Sequence, residues 1–536
     1  MRKTYKYILA VAAAFFSLNA CDKYLDQMPD NRTEVDTEEK VRALLVSAYS
    51  RHSYTTITNF MSDDMDNNAA VVTSAPGEFF HELWRWDDVT YTNNSAPQNV
   101  WEDLYGAIAC ANQALEGIED MGGPSVSATL AESYGEALMC RAYCHFVLVN
   151  LFCLNYNAAT SSTDLGIPYM EAPEQGLNPA YERGNVAEVY EKIERDIEEG
   201  IKYVGDNYTA PKYHFTRQAS YAFAAKFFLF YEKWQKAVEY ATLCLGDSPR
   251  TLMRDYDDLQ QNYAAIGTAR RAYNSSDYKC NLLLNTGYSN IGYYFGNYSG
   301  SYKYYGYTAL IAQTEGLLSS LPWKGDPNTR LANTDLRWRT RTYNSSALSY
   351  MLLWKVDYEF EYTNPVAGTG YAHTVYVPLK VDETLLVRAE AYIMLKQFDN
   401  AIEDLNLWSN NFYTANIHMT PEEVTTFYNA MPYYKWDEPT PKKHLNPAFT
   451  IDAEGSTQES MLHLLLNCRR TESWGEGLRW FDIKRYGIKI YRRAVNGNGQ
   501  LSEVTDSLLV DDPRRAIQVP IRGIDAGLQP NPRNSK

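Results

Sequence analysis

Between Leu466 and Gly487 three carboxylates, Glu472, Glu476 and Asp482, stand among four arginines, Arg469, Arg470, Arg479 and Arg485. Two acids flanking one bond are what glycoside hydrolysis requires, so the segment could supply a general acid and its partner. The arginines argue against that use. They are interleaved closely enough to pair every acid, and ion pairs of this kind fix geometry. The segment is read as scaffold and assigned no ligand.

A second constellation is Cys140, Cys144 and His145, with both thiols on one helix face. Zinc sites usually draw paired ligands from two separate segments, and no second pair is visible, so these are read as buried thiols. No Asp-x-Asp-x-Asp-Gly calcium loop is present, and no metal or cofactor is expected. The sequence also lacks a Gly-x-Ser-x-Gly elbow, a His-Glu-x-x-His pair and a Gly-x-x-x-x-Gly-Lys phosphate loop. The expectation is a protein that binds without cleaving.

Aromatic residues make up 14% of the chain, with 44 Tyr and 11 Trp, more than packing alone calls for. Aromatic planes stack on the C–H faces of sugar rings, whose hydroxyls seek Asn, Asp and Arg. Two clusters have that make-up. The first is Asp63-Asp64-Met65-Asp66-Asn67-Asn68 with Trp84-Arg85-Trp86-Asp87-Asp88. The second is Tyr288, Tyr293-Tyr294-Phe295, Tyr302, Tyr304-Tyr305, Tyr307 and Trp323, threaded with glycines that let the backbone turn tightly. Candidate ligand contacts are Asp66, Asn67, Trp84, Arg85, Trp86, Tyr294, Tyr304, Tyr305 and Trp323.

The elements that must position these clusters are helical. Trp101 through Ile118 and Ala137 through Phe146 have helical apolar spacing, broken at Met121-Gly122-Gly123-Pro124. The same device returns at 186–204 followed by 216–245, and at Glu383–Tyr392, a turn at Lys396-Gln397, and Phe398–Leu405. Short turns and alanines in the second helix of each pair are similar to tetratricopeptide repeats, which bury their apolar faces only by stacking. Two long stretches fall outside the pattern, about 246–380 and 409–456. Loops of that length are usually functional or disordered, and their aromatic content argues against disorder. The expected fold is all-α and tetratricopeptide-like, with irregular insertions forming the outer face.

At the N-terminus Arg2, Lys3 and Lys6 precede the apolar run Ile8–Phe16, too short for a membrane span but laid out as a secretory signal. Leu18-Asn19-Ala20-Cys21 then looks like a lipobox, so residues 1–20 are expected to be removed and Cys21 acylated. Several acyl chains anchor firmly where one holds marginally. The 50 basic against 66 acidic residues give a formal charge of −16, which disfavours nucleic acid as a partner.

The segment Arg469…Glu472…Glu476-Gly477-Leu478-Arg479-Trp480-Phe481-Asp482-Ile483-Lys484-Arg485-Tyr486-Gly487 resembles the hallmark of the SusD/RagB family of nutrient-capture lipoproteins. Leu386-Val387-Arg388-Ala389-Glu390-Ala391-Tyr392, Ile517-Gln518-Val519-Pro520-Ile521, Tyr24-Leu25-Asp26-Gln27-Met28-Pro29 and the Trp101…Asn112 helix agree with it, so the resemblance spans nearly all of residues 21–536. Cys468 and Trp474-Gly475 depart from the usual pattern. The resemblance implies one SusD-like domain: helical repeats to about 245, an aromatic-rich insertion over 246–380, and a C-terminal helical part over 381–536. It implies a surface-facing, lipid-anchored protein of the outer membrane that captures an oligosaccharide and delivers it to a SusC-like, TonB-dependent transporter. Asp22 after the lipid cysteine would favour inner-membrane retention in enterobacteria; the resemblance points to a lineage that sorts differently. Peptide capture, as in the RagB branch, remains an alternative. So do a surface glycosidase using two unpaired acids among Asp63, Asp64, Asp66 and Asp87, and a scaffold that binds only protein.

Overall fold

The computed structural model describes residues 34–174, 180–262, 266–292, 303–345, 347–351, 355 and 358–533. The expected signal, Cys21 and Tyr294 lie outside the described residues. No helix among the described residues is long and apolar enough to cross a membrane.

In chain order the helices are α1 (Glu38–Leu45), α2 (Thr55–Met61), α3 (Glu78–Trp84), α4 (Pro97–Asp120), α5 (Ala128–Phe152), α6 (Val186–Gly200), α7 (Arg217–Phe230), α8 (Trp234–Leu245), α9 (Tyr256–Asn262), α10 (Ile266–Tyr273), α11 (Ala309–Thr314), α12 (Val381–Met394), α13 (Phe398–Phe412), α14 (Pro421–Ala430), α15 (Thr457–Glu472), α16 (Arg479–Arg485) and α17 (Ile521–Asp525). Three hairpins, α4/α5, α7/α8 and α12/α13, form the body; α6 packs on α5, α8 on α12, and α15 on α12 and α14. Their approach is set by small side chains: Ala219, Ala222, Ala224 and Ala225 of α7 and Ala237 and Ala241 of α8 are all buried. Glu232 and Lys396, at the turns of two hairpins, have positive φ. A residue with a Cβ rarely adopts that conformation, and here it closes the chain between two helices in three residues.

The chain is helix-rich but not all-α. Among the described residues nine strands, β1 (Asp66–Asn67), β2 (Asn281–Tyr288), β3 (Tyr305–Gly306), β4 (Thr342–Ser345), β5 (Leu348–Met351), β6 (Glu359–Asn364), β7 (Thr369–Lys380), β8 (Ile490–Val495) and β9 (Leu501–Leu508), form sheets ordered β3-β1-β8-β9, β2-β7-β6 and β4-β5. The period-2 pattern of Tyr371-Ala372-His373-Thr374-Val375-Tyr376-Val377 marks a strand. Asn496-Gly497-Asn498-Gly499 between β8 and β9 is a hairpin signal that was available in the sequence. The all-α expectation fails because strands within the 246–380 stretch pair with one another, as β2-β7-β6 and β4-β5, and β3 joins β1 and the C-terminal β8–β9 hairpin.

The hallmark segment is the buried centre. Arg479 grips Asp63 through both carboxylate oxygens at 2.9 Å, and Arg470 holds Asp64 at 2.7 Å. Lys443 bridges Asp63 and Glu315, each at 2.7 Å, and Arg493 joins Asp66 at 2.8 Å to Glu315 at 2.7 Å. On the other side of α15, Arg485 meets Glu390 of α12 at 2.8 Å, Arg469 meets both Glu390 and Asp482, and the Tyr486 hydroxyl donates to Glu390 at 2.6 Å. Glu472 and Glu476 pair instead with Lys380, at 2.7 and 2.5 Å. The expectation of pairing within the segment is therefore corrected: only Arg469–Asp482 is local, and the other arginines reach outside it, Arg470 and Arg479 to acids more than four hundred residues away. Gly477 is required by close approach, since a Cβ there would stand 2.3 Å from the Thr58 hydroxyl.

Burial works against every one of these carboxylates, and where cations surround them they remain ionised. Arg470, Arg479 and Lys443 hold Asp63 well below the usual range despite burial. Arg493 and Lys443 bring buried Glu315 down to about 2, Arg469 and Arg485 do the same for Glu390, and Lys380 and Lys355 for Glu472.

Candidate ligand-binding site

The network fixes β1, and β1 fixes a groove. Asp66 pairs with Gly306 and Asn67 with Tyr305 in antiparallel register, while Asn67 also neighbours Ala494 of β8 in parallel. The Asn68 N–H donates to the Tyr304 carbonyl at 2.8 Å. These contacts bring Trp84 and Arg85 of the first cluster and Tyr304 and Tyr305 of the second, more than two hundred residues apart in sequence, onto one surface.

The result is a recess of about 460 Å3 lined by Asn67, Glu78, His81, Trp84, Arg85, Tyr304, Tyr305, Thr505 and Asp506. Trp84 and Tyr305 stack at 4.8 Å and 18° and are both buried, forming the wall. Tyr304 stands half-buried, edge-on to Tyr305 at 4.9 Å. His81 shares a 2.6 Å hydrogen bond with the Tyr305 hydroxyl, and burial lowers the pKa of its imidazole. Arg85 is held from two sides, by Asp87 at 2.8 Å and Glu78 at 2.7 Å. Asp506 of β9 pairs with Arg514 at 2.7 Å. The Asn67 Oδ1 accepts the Ala69 N–H at 2.9 Å, which orients its amide nitrogen. Every carboxylate of the recess is ion-paired, so what it offers a ligand is an aromatic face with hydrogen-bonding groups and little net charge.

Five expected contacts, Asn67, Trp84, Arg85, Tyr304 and Tyr305, thus meet in one place. Three others, Asp66, Trp86 and Trp323, do not reach it. Asp66 is buried against Arg493. Trp86 has φ +56 and turns its ring beneath α3, where its indole N–H donates to the Met61 carbonyl at 2.8 Å. Arg492 covers that ring at 3.8 Å and Arg514 approaches at 5.4 Å. Trp86 is a structural ring, 2% exposed. Replacing it with Phe removes one buried hydrogen bond and should cost about 1–2 kcal/mol of stability, with ligand affinity unchanged; urea unfolding and titration of the same sample test both halves. Trp323 lies in a different recess.

Glu78, His81, Thr505 and Asp506 were not anticipated. Glu78, His81 and Arg85 recur at three and four residues, one helical face, and that signal was readable. Thr505 and Asp506 come from a strand whose position only the sheet defines.

The cysteine and histidine cluster carries no metal geometry. His145 accepts the Met170 N–H at Nε2, 3.1 Å, so its Nδ1 proton faces the Arg141 carbonyl at 2.8 Å. Both nitrogens are used, burial lowers the ring's pKa to about 3, and burial raises both thiols. Among the described residues no group of three or more metal-ligating side chains is found.

Comparison with known proteins agrees with this architecture. Residues 23–229 match the SusD-like_3 family, described as starch-binding associating with outer membrane. A SusD superfamily protein from Bacteroides vulgatus superposes with TM-score 0.63 at 18% identity, covering 94% of this chain and 100% of that one. One from Bacteroides thetaiotaomicron gives 0.59 at 16%, covering 94% and 100%. A laminarin binding SusD-like protein gives 0.55 at 17%, covering 93% and 99%. No curated protein matches in sequence. Over residues 23–229 the sequence is thus similar to the SusD-like_3 family, and the helix-rich fold is shared with the SusD superfamily structures.

Proposed function

We propose that the protein binds an oligosaccharide at the outer membrane surface and passes it, uncleaved, to a SusC-like TonB-dependent transporter. On this reading Cys21 carries the lipid, and the stacked hairpins are a tetratricopeptide-like scaffold behind the binding face. The observation that carries the proposal is the convergence of Tyr304, Trp84, Tyr305, Arg85 and Asn67 in one recess. A pyranose ring would lie on Tyr304, with Asn67 and the Arg85 guanidinium meeting its hydroxyls. The names of the similar proteins, starch-binding and laminarin binding, point to the same ligand class.

Cleavage would need two acids free to exchange protons around one bond. Asp63, Asp64 and Asp66 are buried in ion pairs, Asp87 pairs with Arg85, and Glu78 and Asp506 have cationic partners.

Isothermal titration against glycans of host, plant and microbial origin and a peptide digest tests the reading. Tyr304→Ala should weaken glycan binding about tenfold or more, the stacking of one ring being worth about 1–3 kcal/mol. Saturable binding of peptide alone would transfer the protein to the peptide-capturing reading. Glycan affinity indifferent to Tyr304→Ala would remove the ligand from this recess.

A further inference from the structure

Residues 322–327 and 415–430 build a second recess, about 680 Å3, that shares no residue with the first. It is made rigid by α13. The Asn406 Oδ1 accepts the Met419 N–H at 2.9 Å while its Nδ2 donates to the Met419 carbonyl at 2.9 Å. One turn later Asn410 clamps Ile417 in the same way, at 2.8 and 2.6 Å. Ile417 and Met419 are buried, and Asn416 and His418, which alternate with them, are exposed along the rim. Thr420 and Glu423 close a capping box that starts α14, and Phe427 on that helix is buried beneath the recess.

Opposite stands Trp323, half-buried. Its ring packs on Tyr413 at 5.6 Å, its indole N–H has no partner among the described residues, and Lys324 lies 4.7 Å from its centroid. Lys324 is paired with Asp335 at 3.0 Å. The rim therefore offers exposed Glu422 and Glu423 and no unpaired lysine, which disfavours an anionic ligand. A flat aromatic surface with amide, imidazole and carboxylate groups along the rim suits a neutral polyol ring.

We propose that this recess is a second glycan-binding site, in which one sugar ring of a neutral oligosaccharide lies on Trp323 and its hydroxyls reach Asn416, His418 and Glu422. The inference rests on the oligosaccharide reading of the first recess and extends it. Two sites on one rigid body make the protein bivalent toward a polymer, so a long chain spanning both is held more tightly than a short one without any new contact.

Titration of the full chain with laminari-, malto-, manno- and xylohexaose, and with the parent polysaccharide of whichever binds, tests this. Two equivalents of hexaose are expected for the wild type, one for Trp323→Ala and one for Tyr304→Ala. Affinity for the polysaccharide should fall about a hundredfold in either variant, the lower range of linked binding. Trp323→Phe, which keeps a stacking face, should retain the second equivalent and guards against a folding defect. A single equivalent abolished only by Tyr304→Ala overturns the second site and leaves the first standing. A single equivalent abolished only by Trp323→Ala removes the first and keeps the second. Polysaccharide affinity unchanged by Trp323→Ala argues against bivalency, and no binding of any of these glycans overturns both sites.

Discussion

Replacing Asp63 with Ala should destabilise the protein by about 3–5 kcal/mol, the cost of leaving a buried charge without its partner. Asp63 is the carboxylate that ion-pairs with Arg479, and it also faces Lys443 and Arg470. Those two have Glu315 and Asp64 as further ion-pair partners, whereas Arg479, buried on α16, has no second carboxylate at ion-pair distance among the described residues. The effect should therefore be specific to one pair. Arg479→Met alone should cost less, because the aspartate keeps two cations, and the double variant should recover part of the loss, giving a coupling of about 1–3 kcal/mol. Urea unfolding of the four proteins measures it. Simple additivity of the two single changes would show that the Asp63–Arg479 contact is incidental. The change should also displace Asp66 and Asn67, which form β1 three and four residues further on, so glycan affinity should fall together with stability.

The second large effect is acid lability over a defined window. Glu315, Glu390 and Glu472 have folded pKa values near 2 because surrounding cations outweigh burial, whereas an unfolded glutamate titrates near its ordinary 4.5. Their contribution is complete above pH 4.5 and is lost as pH falls from there to 2. At about 1.4 kcal/mol per pKa unit, one such glutamate contributes about 3 kcal/mol. Asp382 acts in the opposite sense. Burial and the nearby Glu472 raise it to about 6, so it takes up a proton in the folded state first and adds stability as pH drops from 6 towards 3.8. Buried His145, lowered to about 3, opposes this, because the unfolded ring takes up its proton from its ordinary 6.5 downward; the two shifts offset one another between pH 6 and 4.5, so stability should change little there and collapse below. A urea midpoint that declines smoothly from pH 7, or that survives unchanged to pH 2.5, would contradict this account. Glu390→Gln should flatten the lower limb, since it removes one of the groups that produces it.

Much of the scaffold was legible before any coordinates. Helical hairpins follow from period-3.6 apolar spacing, small residues and short turns, all of which are local signals; α4/α5, α7/α8 and α12/α13 lie where those signals place them. The hallmark's role as scaffold was also readable, because arginines and acids in such number imply mutual neutralisation. Its partners were not. Which acid Arg479 would meet depends on a contact across more than four hundred residues, and no spacing encodes it.

The same division applies to the binding surface. By itself the sequence determined that two clusters rich in aromatic rings, amides and arginine exist, because composition and proximity along the chain are its direct content. Only the tertiary structure decided that Asn67, Trp84 and Arg85 join Tyr304 and Tyr305 through the short β1–β3 pairing, while Trp323 faces a separate recess and Trp86, two residues from Trp84, turns inward beneath Arg492. The physical reason is that exposure of a ring is set by one backbone dihedral at the end of α3 and by strand pairings between distant segments, neither of which residue type or spacing specifies.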